Sequence, residues 1–155
     1  MTSKNIQSYK QASTYLILVS ILSFYSSITT ATDRIGLVKT YQPIAYAIRQ
    51  GVETKLTVGS EIFEGDTIVT DSDGAVGIIF SDGAVLTLGP SGKLIVEEFL
   101  FRPAEKNVSF LSRVMKGSVS FISGAIGRIA PGSVKFITPT ATLGLRGTKI
   151  LIEVD

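Results

Sequence analysis

The chain is 155 residues long with 15 Lys and Arg against 13 Asp and Glu, a formal net charge of +2. Lys4 and Lys10 supply that excess, since every acidic residue lies beyond position 31, so the remainder is neutral and lacks the clustered positive surface that a nucleic-acid partner demands. Cysteine, histidine and tryptophan are absent, which removes a disulfide framework, the acylated cysteine of a lipoprotein, the usual general base and thiol nucleophile, and the preferred ligands of zinc and copper.

Taken in chain order, residues 1–31 read as a secretory signal peptide. Lys4 and Lys10 sit in a polar lead, an apolar core runs from Tyr15 to Tyr25, and a small polar run ends with Thr29 and Ala31 at the two positions a signal peptidase requires to be small. The apolar core falls short of the roughly 20 residues that span a bilayer comfortably, and nothing after Tyr25 approaches that length. The expectation is an exported chain, periplasmic or secreted, with no transmembrane span after the signal segment. The alternative is an uncleaved segment that anchors it to the cytoplasmic membrane.

Residues 35–155 are enough for one domain held by a hydrophobic core alone. Short apolar runs are punctuated by Gly, Pro and Asp-Gly, and none is long enough to present a helical stripe, so the pattern predicts an all-β domain of short strands and tight turns. Val76-Gly-Ile-Ile-Phe80, Lys93-Leu-Ile-Val-Glu-Glu-Phe99 and Ser118-Val-Ser-Phe-Ile122 read as strands, as does the alternation of Ile150, Ile152 and Val154. Asp73-Gly74, Asp82-Gly83, Pro90-Ser-Gly92 and Pro131-Gly132 read as turns. Asp73-Gly-Ala-Val76 recurs as Asp82-Gly-Ala-Val85, a weak repeat that suits a meander or the coils of a solenoid.

Three segments in order carry a family likeness: Gly65-Asp66-Thr67-Ile68-Val69-Thr70, then Asp82-Gly83-Ala84-Val85-Leu86-Thr87-Leu88, then the closing stretch with Thr138-Pro-Thr140-Ala-Thr and Leu145-Arg146-Gly147-Thr148. Together they resemble the signature of the FecR-like domain, over roughly residues 36–154. The resemblance implies an all-β domain with solenoid-like winding, and so favours a compact β-roll or β-solenoid-like form over the alternative, a β-sandwich. It marks Asp66, Asp82, Thr138, Thr140, Arg146 and Thr148 as interaction or fold-motif residues. Members of the family include envelope-spanning anti-sigma regulators, whose periplasmic domain receives a signal from an outer-membrane transporter, and stand-alone exported proteins. The short stretch before the apolar core leaves no room for a sigma-binding domain, so the stand-alone form is expected here.

Asp66 is expected to cap its own turn, and Arg146, set between Gly144 and Gly147, to anchor its turn to a nearby acid or to free carbonyls; a guanidinium there also suits recognition of a carboxylate. The early acids and late bases are expected to pair as the two halves fold together. Asp71-Ser-Asp73-Gly74 has oxygens at alternate positions but lacks the further ligands of a calcium loop, and Gly89-Pro-Ser-Gly92-Lys93 lacks two positions of a phosphate loop; the first reads as a turn and the second as a hairpin turn. No catalytic, cofactor or metal residues are expected. These readings favour a non-catalytic domain acting through protein–protein interaction in envelope sensing, signalling or assembly, with an envelope protein as partner. The alternatives are a module for cell-wall or extracellular polysaccharide, and a truncated remnant of a longer FecR-like protein.

Overall fold

Apolar residues alternating with polar ones set the strands, and Gly, Pro and Asp set their ends. The computed structural model describes residues 33–146 and 149–155; residues 1–32, which include the expected signal peptide, and Gly147 and Thr148 lie outside the described residues. The strands are β1 (Arg34–Gln42), β2 (Ala45–Arg49), β3 (Val52–Lys55), β4 (Glu61–Phe63), β5 (Thr67–Thr70), β6 (Ala75–Phe80), β7 (Val85–Leu88), β8 (Lys93–Arg102), β9 (Asn107–Ile122), β10 (Val134–Ile137), β11 (Thr142–Gly144) and β12 (Lys149–Val154). The protein is all-β, as the punctuated sequence predicts. One short helix the pattern did not announce, α1 (Ala125–Ile129), follows β9.

The sheet runs β3-β2-β5-β8-β9-β7-β6-β1-β4, with β10 and β12 added to β9 and β11 added to β10. Its ladders are antiparallel except β10 on β9. The long strand β9 does the folding over. Its first half lies between β8 and β10, and its second half between β7 and β12. Gly117, between the halves, has φ +86°, and a Cβ there would stand 2.6 Å from the Gly92 Cα. No side chain fits so close an approach, and a positive φ strains any residue but glycine, so the strand bends at the one position where it can. The sheet thereby curls into an open half-barrel.

The two limbs of that curl face each other across a core of phenylalanines. Phe80 and Phe121 come from one limb and Phe99, Phe110 and Phe136 from the other, with ring centroids 4.9–6.1 Å apart. Ile62, Ile68, Ile78, Leu86, Leu88 and Leu94 extend the core as fully buried neighbours. Each copy of the repeated Asp-Gly-Ala-Val is the turn that leads into a strand, β6 for the first and β7 for the second, and the two strands pair antiparallel as a hairpin with Val76 opposite Leu88 and Ile79 opposite Val85.

Two turns have a different role from the one their composition suggests. The segment 89–92 is not a hairpin turn: it joins β7, paired with β6 and β9, to β8, paired with β5 and β9, and so carries the chain around a corner from one limb to the other. The turn at 71–74 makes the same passage from β5 to β6. Thr70 locks the first corner. Its hydroxyl donates to the Gly89 carbonyl at 2.6 Å and accepts the Gly92 N–H at 2.8 Å, while its own N–H donates to the Gly92 carbonyl at 3.0 Å. Thr70→Val keeps the shape but strips the corner of both hydroxyl bonds in a buried place, and the expected loss is about 1–3 kcal/mol in urea unfolding. Thr70→Ser, which keeps the hydroxyl, should recover most of it.

Candidate functional site

The motif Gly65 to Thr70 comprises the end of the turn after β4, which buries its acid, and the whole of β5. Gly65 takes φ +84°, and Asp66, with 0% exposure, faces inward. Its carboxylate is held on both oxygens: the Arg49 Nε donates to Oδ1 at 2.7 Å, the Arg49 Nη2 to Oδ2 at 2.8 Å, and the Phe63 N–H to Oδ2 at 2.9 Å. This is a two-pronged charge-assisted pair, the strongest class of side-chain hydrogen bond. Hydrogen bonding to Asp66 raises the Arg49 pKa above its ordinary value, so the guanidinium stays charged. It also lies over the Phe63 ring, 3.9 Å from the centroid, at the mouth of a cleft of about 280 Å³ bordered by Thr54, Ser60 and Glu61.

The expectation that Asp66 serves its own turn is met in part, through the Phe63 N–H, but its main partner is a distant arginine. Arg49 escaped the sequence reading because nothing in its spacing marks it. It reaches Asp66 only because β2 pairs with β5, with Ile48 opposite Thr67. The available signal was indirect: a buried carboxylate needs a cation, and few precede it in the chain.

Asp82 is buried too. Its Oδ1 accepts the Ala84 N–H at 2.9 Å within the β6–β7 turn, and its Oδ2 and backbone carbonyl accept the N–H groups of Ile126 and Ala125 at 3.2 and 2.9 Å. One aspartate thus closes a hairpin and seats the start of α1, which explains why a helix of only five residues forms there. Both motif acids are committed to the fold, and neither presents a free oxygen for acid–base chemistry.

The closing motif is spread along the surface. Thr138 closes the β10–β11 turn, its hydroxyl accepting the Ala141 N–H at 3.0 Å, and Thr140 is exposed at the tip. Arg146 is exposed and, among the described residues, takes neither an acid nor a carbonyl as partner, contrary to its expected anchoring role. Backbone and Leu145 do that work instead: the Leu145 N–H donates to the Val134 carbonyl at 2.9 Å, its carbonyl accepts the Gly132 N–H at 3.1 Å, and its side chain is buried. Thr148 lies outside the described residues. The six candidate positions are therefore not gathered into one site.

Nor do early acids meet late bases. Glu61 and Asp66 pair with Arg34 and Arg49, and Glu97 and Glu105 with Arg113 and Arg102, so every ion pair among the described residues joins partners from the same half of the domain. Asp71 is spent on its turn, its side chain accepting the Ser72 N–H and its carbonyl the Gly74 N–H. Among the described residues, no group of three or more acids is placed to hold a metal ion.

What the surface does offer is apolar. On the outer face of β1, β6, β7 and β9, register places Leu37 opposite Ile79, Ile79 opposite Val85 and Val85 opposite Ile122. These four side chains alternate with core residues; Leu37, Ile79 and Val85 are half-buried and Ile122 is 44% exposed. Glu61 stands opposite Leu37 at one end of the row and Lys149 opposite Ile122 at the other. The sequence held a trace of this row, since Ile78-Ile79 breaks the alternation a half-buried strand should keep. Compared with protein-family models, curated proteins and solved structures, the chain matches none.

Proposed function

We propose that the chain is an exported, non-catalytic FecR-like domain that acts by binding a protein of the bacterial envelope, in sensing, signalling or assembly. The observation that carries the reading is the apolar row Leu37–Ile79–Val85–Ile122, half-buried along β1, β6 and β7 and exposed at Ile122, with a charge at each end: a contiguous apolar row on the outer face, rimmed by polar groups, suits a protein partner. The burial of Asp66 and Asp82 supports it from the other side, because the family-like motif residues then serve the scaffold and leave recognition to the outer surface. The residues of the signal-like segment supply the route of export.

A polysaccharide ligand is less well served. Aromatic platforms with nearby carboxylates are what sugar sites use. The cleft beside β1 and β6 offers Tyr41 with no acid in its lining; where Phe63 and Glu61 line one cleft, Arg49 covers the ring and Arg34 pairs with the acid; and beside Asp33, Phe99 is buried and Phe101 packs on the core.

The test is crosslinking in cells that produce the full chain, followed by fractionation. Wild type should appear beyond the cytoplasm joined to a discrete protein, and Val85→Lys should lose that adduct by about tenfold or more while melting as the parent does. Recovery only in the cytoplasm, or an adduct indifferent to Val85→Lys, would overturn the reading; sedimentation with insoluble cell wall would favour the polysaccharide alternative.

A further inference from the structure

β12 has an open side. It pairs with β9 alone among the described residues, with Lys149 opposite Ile122, Leu151 opposite Ser120 and Glu153 opposite Ser118. The direction of its backbone groups follows from its neighbour. The Gly89 N–H donates to the Ser118 carbonyl, so Ser118, Ser120 and Ile122 turn their backbone groups toward β7, while Gly117, Val119 and Phe121 turn theirs toward β12. On β12 the residues bonded to β9 are therefore Ile150, Ile152 and Val154. The N–H and C=O groups of Lys149, Leu151 and Glu153 point to the open side.

The sequence on that edge is its own complement. In Lys149-Ile-Leu-Ile-Glu153, an antiparallel copy centred on Leu151 sets Lys149 against Glu153 of the second chain, Leu151 against Leu151, and Glu153 against Lys149. The same three residues that carry unpaired backbone groups would face one another, which is what a hydrogen-bonded register requires. Both charge pairs are opposite in sign and directly cross-strand, the arrangement that stabilises a ladder. Leu151, 74% exposed and the most exposed of the large apolar side chains, would meet its twin on the outer face. On the inner face Ile150 would meet Ile152, continuing the core of each half-barrel.

We propose that β12 is a dimerisation edge, at which two copies of this chain join antiparallel about a twofold axis through Leu151. A bare apolar edge invites indiscriminate strand addition, and a self-complementary charge pattern selects one partner and one register. The inference uses the strand edge and not the outer row; the two share Lys149, so Glu153→Lys and Leu151→Cys test the edge by itself and Val85→Lys the row by itself.

The test uses the full chain as the cell processes it. Sedimentation should show a concentration-dependent dimer. Glu153→Lys, which sets lysines opposite one another at two places, should weaken it by about tenfold or more, as should Lys149→Glu, and the double exchange Lys149→Glu/Glu153→Lys should restore it. The register is read with cysteines, of which the natural chain has none. Leu151→Cys should form a disulfide-linked dimer on mild oxidation, since facing residues of such a pair lie about 5.5 Å apart at Cα, within disulfide range. Lys149→Cys alone should not, but should crosslink when mixed with Glu153→Cys. A chain that stays monomeric at all concentrations, a dimer indifferent to both charge reversals, or a Lys149→Cys dimer as abundant as that of Leu151→Cys would each overturn the proposal.

Discussion

Phe110→Ala should cost about 3–5 kcal/mol, the largest loss expected from any single core truncation here. Phe110 is the ring that holds the two limbs of the half-barrel together. It packs edge-on against Phe80 at 5.1 Å and against Phe99 at 6.1 Å, and tilted against Phe121 at 5.1 Å and Phe136 at 5.6 Å. Removing it leaves a cavity bounded by four rings from different strands, which cannot collapse together without moving the ladders that carry them. Domains of this size keep a margin of about 5–15 kcal/mol, so the variant gives up a substantial share of it and should melt roughly 10–20 °C lower. Phe101→Ala, at the partly buried end of β8, should cost far less. Equal losses from the two substitutions would show that the ring cluster is not the keystone of the fold.

Arg49→Leu should destabilise by about 3 kcal/mol, although it removes a side chain that is 43% exposed. The loss arises at the other partner: Asp66, with 0% side-chain exposure, keeps only the Phe63 N–H and is left a buried charge without its cation. The partial exposure of the guanidinium puts the effect at the low end of the range for broken buried pairs, because water entering the vacated space reaches the acid in part. The double variant Arg49→Leu/Asp66→Leu discriminates the cause. If the single variant suffers from an orphaned carboxylate, removing that carboxylate should return much of the stability; if the double variant is no better, lost packing over Phe63 is responsible. Chemical unfolding of the parent, both single variants and the double variant closes the cycle.

The runs in β6, β8, β12 and the second half of β9 were legible as strands because burial in a thin sheet is a local property. Each residue of β6, β7 and the second half of β9 either faces the core or does not, and the period of two writes that choice into Val76, Ile78 and Phe80, or Val119 and Phe121. The turns were legible as turns, because glycine and Asp-Gly act on their own backbone. Their roles were not. Pro90-Ser-Gly92 looks the same in a hairpin and in a corner, and the difference lies in Thr70, which approaches from β5 to bond Gly89 and Gly92.

The motif acids show the same division. That Asp66 and Asp82 matter was visible from the segments around them; what they do was not, since the partner of one is an arginine brought up by strand pairing and that of the other a helix start 44 positions away. Arg146 erred the other way, because its flanking glycines suggested a tight anchoring site, while the structure gives the anchoring to Leu145 and the backbone. By itself, then, the sequence determined the all-β class, the turns, and the runs that form β6, β8, β12 and the second half of β9, all of which follow from side-chain periodicity and the backbone preferences of single residues. The tertiary structure alone decided where the sheet bends, which acids are buried and by what they are held, and which edge and face stay open. Those depend on contacts between residues far apart in the chain, of which the local sequence carries only traces such as the Ile78-Ile79 pair.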